Sequence, residues 1–284
     1  MIRYKEIQDK VKEWGMPADV IDRDYVLGHF LNSFYSFEEN KNLFVFKGGT
    51  CLRKCYFPEY RFSEDLDFTL TDSKFKVTSK FLKSMADECT KTTSILFGDV
   101  KEKTKVIHDN SFLVIEFSIP FWGANHRKKS SPYSQGDWQT RIELDFSYYE
   151  KIITPIECRF INHLYSDVTL ANPVTVYSLK EIFTEKIRAF EQRNHKSARD
   201  YYDVWFLLQN VTFDSWDEIR SILIEKCKDK NVVINPLIFN DENRKQDIQR
   251  TWQNSLTKQI KNLPEFETVW AFLKGNLFQK LNII

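Results

Sequence analysis

FKGGTCLRKCYFPEYRFSEDLDFTL, residues 46–70, decides how the rest of the chain is read. It begins at the end of an apolar strand, NLFVF (42–46), and turns at Gly48–Gly49. A helical pattern, TCLRKCYF, follows and is interrupted at Pro58, and RFSEDLDFTL (61–70) reads as a strand. Side chains alternate along a strand, so Phe62, Glu64, Leu66, Phe68 and Leu70 share a mostly apolar face. Ser63, Asp65, Asp67 and Thr69 share the other. That phase sets two carboxylates on one side, about 6.5–7 Å apart at their Cα atoms from the rise per residue. Two carboxylates so placed converge on hard divalent cations, which take oxygen ligands and leave sites for substrate phosphates. A solvated acidic strand face has the same pattern, so the D-x-D alone does not decide between the two.

The glycine pair adds a second element at a meaningful spacing. Gly48 and Gly49 allow close backbone approach and positive φ. Thr50 is placed to cap the following helix, whose free N–H groups suit a phosphate. Lys47, Gly48, Gly49 and Thr50 are therefore the expected nucleotide-binding residues of this turn, with metal ligands on the strand beside it. TRIELDFSYY (140–149) supplies another alternating strand. Ile142, Leu144 and Phe146 lie on one face; Arg141, Glu143, Asp145 and Ser147 lie on the other. If this strand pairs beside the first, Asp145 or Glu143 completes the metal set. Asp145 is preferred because apolar residues flank it deep in the strand. A base for an attacking hydroxyl would come from here.

Beyond residue 178 the pattern turns helical, over 179–193, 197–209, 214–229, 241–260 and 265–281; 3–13, 17–36 and 74–92 also read as helices, and 111–121 as a strand. Runs of strands and then helices indicate an α+β fold: an α/β half over 1–165, then a helical half over 166–284. The spacing of Ser178 and Glu181 predicts a capping box. In the helix that follows, Lys186 falls in the middle of the stripe formed by Leu179, Ile182, Phe183, Ile187 and Phe190, and Arg193 lies at nearly the same angle. A snorkelling stem accounts for such a cation; so does a face that borders a polyphosphate. In ARDYYDVW (198–205), Asp200 and Asp203 lie on one side of the next helix. Arg199 with Asp203 would make an ordinary i, i+4 surface pair. Alternatively, one of the aspartates orients Lys186 or the acceptor.

Composition sets outer limits. Forty-one basic residues nearly balance forty acidic ones in the 284-residue chain, so no global field draws in a polyanion. HRKK (126–129), near Trp122, Tyr133 and Trp138, is the local patch that could hold RNA phosphates and stack a base; an ordinary solvated loop has the same composition. Five cysteines without a C-x-x-C pair read as free thiols in a reducing, cytoplasmic compartment. No apolar run approaches ~18 residues, so no membrane span is expected.

Taken together, FKGGTCLRKCYFPEYRFSEDLDF (46–68), IELDF (142–146), LKEIFTEKIRAFEQR (179–193) and ARDYYDVW (198–205) resemble the AbiEii/AbiGii toxin family, within the DNA polymerase β-like nucleotidyltransferase superfamily. The resemblance implies a polymerase β-like nucleotidyltransferase domain, a mixed sheet flanked by helices, followed by a helical domain that completes the active cleft, and transfer of a nucleoside monophosphate from an NTP. Mg2+ or Mn2+ would be held by Asp65, Asp67 and Asp145, and Lys186 would take part in catalysis. It makes Ser63, Lys186, Asp200 and Asp203 functional motif positions; Arg193 is expected as a further phosphate contact from its angle beside Lys186 alone. RNA, tRNA above all, or a protein is the implied acceptor, and a cognate antitoxin the implied partner. The competing readings are a non-catalytic nucleotide- or partner-binding module on the same fold, and a metal nuclease.

Overall fold

A computed structural model describes residues 1–106, 113–126, 138–167, 170–192 and 197–283. The chain divides into two compact units, Met1–Glu150 with Ile156–Val176, and Lys151–Pro155 with Tyr177–Ile284.

The first unit is built on an eight-stranded mixed sheet: β1 (Phe44–Lys47), β2 (Asp65–Leu70), β3 (Leu96–Phe97), β4 (Lys101–Val106), β5 (Leu113–Trp122), β6 (Arg141–Ser147), β7 (Glu157–Arg159) and β8 (Val174–Val176). Its order is β3-β5-β6-β2-β1-β8-β7, with β4 also pairing β5. The β2–β6 and β1–β8 pairs are parallel and the rest antiparallel. Helices α1 (Tyr4–Trp14), α2 (Ala18–Phe34), α3 (Glu38–Leu43) and α5 (Ser79–Thr93) belong to the same unit. Between β1 and β2, a short helix α4 (Gly48–Cys51) runs into a π-helical turn, Leu52–Tyr56.

Aromatic side chains hold the core. Phe68 of β2 stacks on Phe146 of β6 with centroids 5.2 Å apart, and Phe34 of α2 stacks on Phe68 at 4.8 Å. Leu66, Phe68, Leu144, Phe146 and Phe117 are fully buried. The apolar phase read from RFSEDLDFTL is therefore the core face, and the acidic phase points away from it. Stacking a ring contributes about 0.5–1.5 kcal/mol beyond its buried area. This cluster consequently resists any slip of β2, since a one-residue slip would exchange the two faces.

Several boundaries differ from the sequence reading. Residues 61–64 are not strand, because Arg61 and Ser63 turn toward Gly49 before β2 begins. Residues 42–43 end a short helix, whereas 74–78 precede α5, which starts where the Thr78 hydroxyl accepts a hydrogen bond from Phe81 N–H. Strands β3, β7 and β8 are too short to show alternation, and β4, KEKTKV, is too polar to show an apolar face.

The second unit holds α6 (Leu179–Gln192), α7 (Ala198–Asn210), α8 (Trp216–Asp229), α9 (Glu242–Leu256) and α10 (Phe266–Leu281). Phe190 of α6 stacks on Tyr201 of α7 at 4.2 Å, and Tyr201 in turn stacks on Trp270 of α10. The capping box at α6 is half made. Ser178 Oγ accepts from Glu181 N–H at 3.1 Å, but the Glu181 carboxylate accepts from Ile153 and Thr154 N–H and pairs with the buried Lys226 at 2.5 Å. Segment 151–155 is thereby tied to α6. Among the described residues, no helix is long and apolar enough to cross a membrane.

Candidate active site

Cross-strand register assembles the acidic face. β2 and β6 pair with Asp65 opposite Glu143 and Asp67 opposite Asp145. Paired residues point to the same side of a sheet, about 4.8 Å apart between strands. The next strand, β5, brings Glu116 opposite Asp145 and Ser118 opposite Glu143. On the other flank Lys47 stands opposite Asp67. One row thus runs Lys47, Asp67, Asp145, Glu116, and the adjacent row Asp65, Glu143, Ser118. Asp65, Asp67 and Asp145 are each half-buried, accessible to a ligand yet partly removed from bulk water. Ser118 Oγ donates to Glu143 Oε1 at 2.9 Å. Glu143 is thus committed to β5, which separates it from Asp145.

The glycine turn closes on this row. Gly48 has φ +80°, in the left-handed region, and a Cβ placed there would stand 2.0 Å from Asp67 Oδ2. Only a residue without a side chain lets the backbone lie against that carboxylate. At Gly49 a Cβ would meet Arg61 Nη2 at 2.8 Å and Ser63 Oγ at 3.0 Å. A guanidinium and a hydroxyl therefore converge on the second glycine. Arg61 is buried and was not among the residues singled out from sequence. Its signal was a cation two residues before Ser63, masked by reading 61–64 as strand.

Thr50 behaves differently from expectation. Helix α4 starts at Gly48 and Lys47 occupies its cap position without a side-chain cap. Thr50 is the third residue of the helix, and its hydroxyl donates to the Asp65 carbonyl at 2.5 Å. The residue pins the glycine turn to the first acidic position of β2.

In the second unit, the Lys186 ammonium bonds Asp200 Oδ1 at 3.0 Å and Asp203 Oδ2 at 2.8 Å. Both aspartates are at most 1% exposed and Lys186 is 13% exposed. The lysine does not snorkel, and Asp203 is no surface partner; two buried carboxylates hold one cation. Ser197 Oγ donates to Asp200 as well. Arg193 lies outside the described residues, as do 127–137 of the basic loop. His126 stacks on Trp122 with centroids 3.8 Å apart.

The mixed sheet thus gathers carboxylates from two neighbouring strands beside a glycine turn. Whole-structure comparison agrees on the fold. The chain superposes on the nucleotidyltransferase toxin MenT4 of Mycobacterium tuberculosis H37Rv with a TM-score of 0.65, at 17% identity, over 100% of this chain and 91% of that one. It superposes on JHP933 of Helicobacter pylori with a TM-score of 0.56, at 15% identity, over 94% of each. No curated protein matches it by sequence. The family described as "Nucleotidyl transferase AbiEii toxin, Type IV TA system" matches residues 29–274, and the chain belongs to that family of nucleotidyltransferases.

Proposed function

We propose that this protein transfers a nucleoside monophosphate from an NTP to an acceptor hydroxyl on RNA, with tRNA the favoured acceptor, and that it acts as the toxin of a toxin–antitoxin pair. The observation that carries the reading is the in-register Asp67–Asp145 pair, with Gly48 packed against Asp67. The donor set fits a hard divalent cation: three half-buried carboxylates offer only oxygen, as Mg2+ or Mn2+ prefers. Asp65, Asp67 and Asp145 would hold it, and when bound it would neutralise charge on the phosphates and orient the in-line displacement.

The chain's own groups supply the rest. The backbone at Gly48–Gly49, with Lys47, Ser63 and Arg61, receives the β- and γ-phosphates. Asp145 accepts the proton of the attacking hydroxyl. The hydroxyl oxygen forms a bond to the α-phosphorus, the bond from that phosphorus to the β-phosphate oxygen breaks, and pyrophosphate leaves. Lys186 contributes positive charge to the transfer, with Asp200 and Asp203 setting where its ammonium stands; Arg193 is assigned the same electrostatic role. The five free cysteines support a reducing, cytoplasmic setting, and the family's type IV systems support an antitoxin partner.

The test incubates the purified protein with each α-labelled NTP and total RNA, with and without Mg2+. Mg2+-dependent lengthening of an RNA, lost in Asp65→Ala, is the expected result. Shortened RNA would mean a nuclease. Absence of transfer to RNA or protein from every NTP would mean a binding module.

A further inference from the structure

Outside the acidic face, α2 and the segment before β8 bring His29, His163 and Asp167 together. One ligand atom from each lies within 4.8 Å of the others. His29 Nε2 is 3.1 Å from Asp167 Oδ2, and His163 Nε2 is 2.8 Å from Asp167 Oδ1. Both imidazoles are nearly fully buried, at 2% and 4% exposed, while the carboxylate at 15% keeps a path to solvent. We propose that these three side chains form a transition-metal site, distinct from the acidic face and with zinc as its metal, that clamps the 160–167 segment to α2.

The geometry supports this at three levels. First, the nitrogen–oxygen separations of 2.8 and 3.1 Å fall short of the ~3.3–3.6 Å ligand-to-ligand edge of a tetrahedral zinc with bonds near 2.0–2.2 Å by less than about 1 Å. Loading leaves each neutral imidazole with its one proton on Nδ1 and frees both Nε2 atoms for the ion, with a donor shift of less than about 1 Å. Second, the surroundings are those of a metal carboxylate. Asp167 Oδ2 also accepts from the Tyr25 hydroxyl at 2.7 Å, and that hydroxyl accepts from Ile2 N–H at 3.1 Å; hydrogen bonds of this kind orient ligands. The neighbouring Lys54 ammonium is held by Asp24 at 2.8 Å, a carboxylate that it shares with Arg53 at 2.7 Å. Third, donor chemistry separates the two sites. Two imidazoles and one carboxylate are a donor set that zinc takes, whereas an all-carboxylate face suits Mg2+. His29 stands on a 17-residue helix, and His163 and Asp167 are spaced i, i+4. Two elements far apart in sequence thus meet at one point, where an ion that binds the assembled site more tightly than the unfolded chain would stabilise the native state.

The test uses the full chain, stripped with chelator and dialysed against ZnCl2 in the presence of excess MgCl2. Bound metal is measured by mass spectrometry after desalting. The expected result is about one zinc per chain, retained by the Asp65→Asn/Asp145→Asn double variant, lost in His163→Gln and in His29→Gln, with a melting temperature raised by zinc only where zinc is retained. X-ray absorption of the zinc-loaded wild type reads the ligands without any variant, so the proposal stays falsifiable if the histidine variants fail to fold. Two imidazoles in the spectrum support the site. No zinc on the folded wild type, zinc held equally by the histidine variants, or a spectrum of oxygen ligands alone overturns it, and none of these outcomes bears on the transferase reading.

Discussion

Gly48→Ala is the sharpest single perturbation of the acidic face. Two effects add. The backbone at φ +80° costs a residue with a Cβ about 1–2 kcal/mol. The new methyl would also stand 2.0 Å from Asp67 Oδ2, and ordinary contact demands that the carboxylate retreat by about 1 Å or more. For a unit of this size the backbone term alone lowers the melting temperature by ~2–8 °C, leaving the protein folded. Retreat of the carboxylate is the catalytic term, since misplacing a reacting group by 1 Å costs about 10²-fold, or roughly 2.7 kcal/mol of barrier. The assay is transfer of α-labelled nucleotide under saturating NTP, with a thermal melt on the same preparation. Gly49→Ala is the comparison: its Cβ meets the flexible ends of Arg61 and Ser63, and it should raise KM more than it lowers kcat. Because Gly48 acts through Asp67, Gly48→Ala/Asp67→Ala should be no slower than Asp67→Ala. Transfer by Gly48→Ala within about threefold of wild type, alongside the expected fall in melting temperature, would refute the claim that this glycine secures the carboxylate.

Other perturbations follow from the same geometry. Asp145→Asn should lower transfer by roughly 10²–10⁴-fold while leaving the melting temperature unchanged or slightly raised, since it removes a like charge from beside Asp67; circular dichroism and the labelling assay together check this. Lys186→Met leaves Asp200 and Asp203 buried without their cation and should cost about 3–5 kcal/mol in denaturant melts, a loss that Lys186→Met/Asp200→Asn/Asp203→Asn recovers without restoring transfer. Asp22, fully buried with its Oδ2 unpartnered, accepts from Ala124 N–H at 2.8 Å; burial, the dominant cause, pushes its carboxyl up to about 7. A folded-state value above the unfolded one means stability fully present below about pH 4 and lost as pH rises through about 7. The stability of wild type relative to Asp22→Asn should therefore fall across that window, as read from urea melts at several pH values; a flat difference would mean that Asp22 does not hold a proton in the native state.

Much of the fold was legible in residues 46–70 and 140–149, because it depends on local periodicity. Alternation set which face of β2 carries Asp65 and Asp67, and the buried Leu66 and Phe68 behind them follow from the same phase. The five helices of the second unit were legible from apolar spacing. Pairing was not legible. Nothing local in IELDF says that β6 lies parallel to β2 with Asp145 level with Asp67, or that Glu116 arrives on the far side. Nor could spacing choose between a snorkelling Lys186 and one clamped by Asp200 and Asp203. It could not show that Thr50 faces a carbonyl, that Arg61 reaches Gly49, or that His29 meets His163 across 134 positions. The division has one physical cause. The identity of a face is set by neighbours within a turn or a pleat, which the chain carries wherever it goes. Register and side-chain partnership are set by which distant surfaces bury best together, and that is decided only when the core closes.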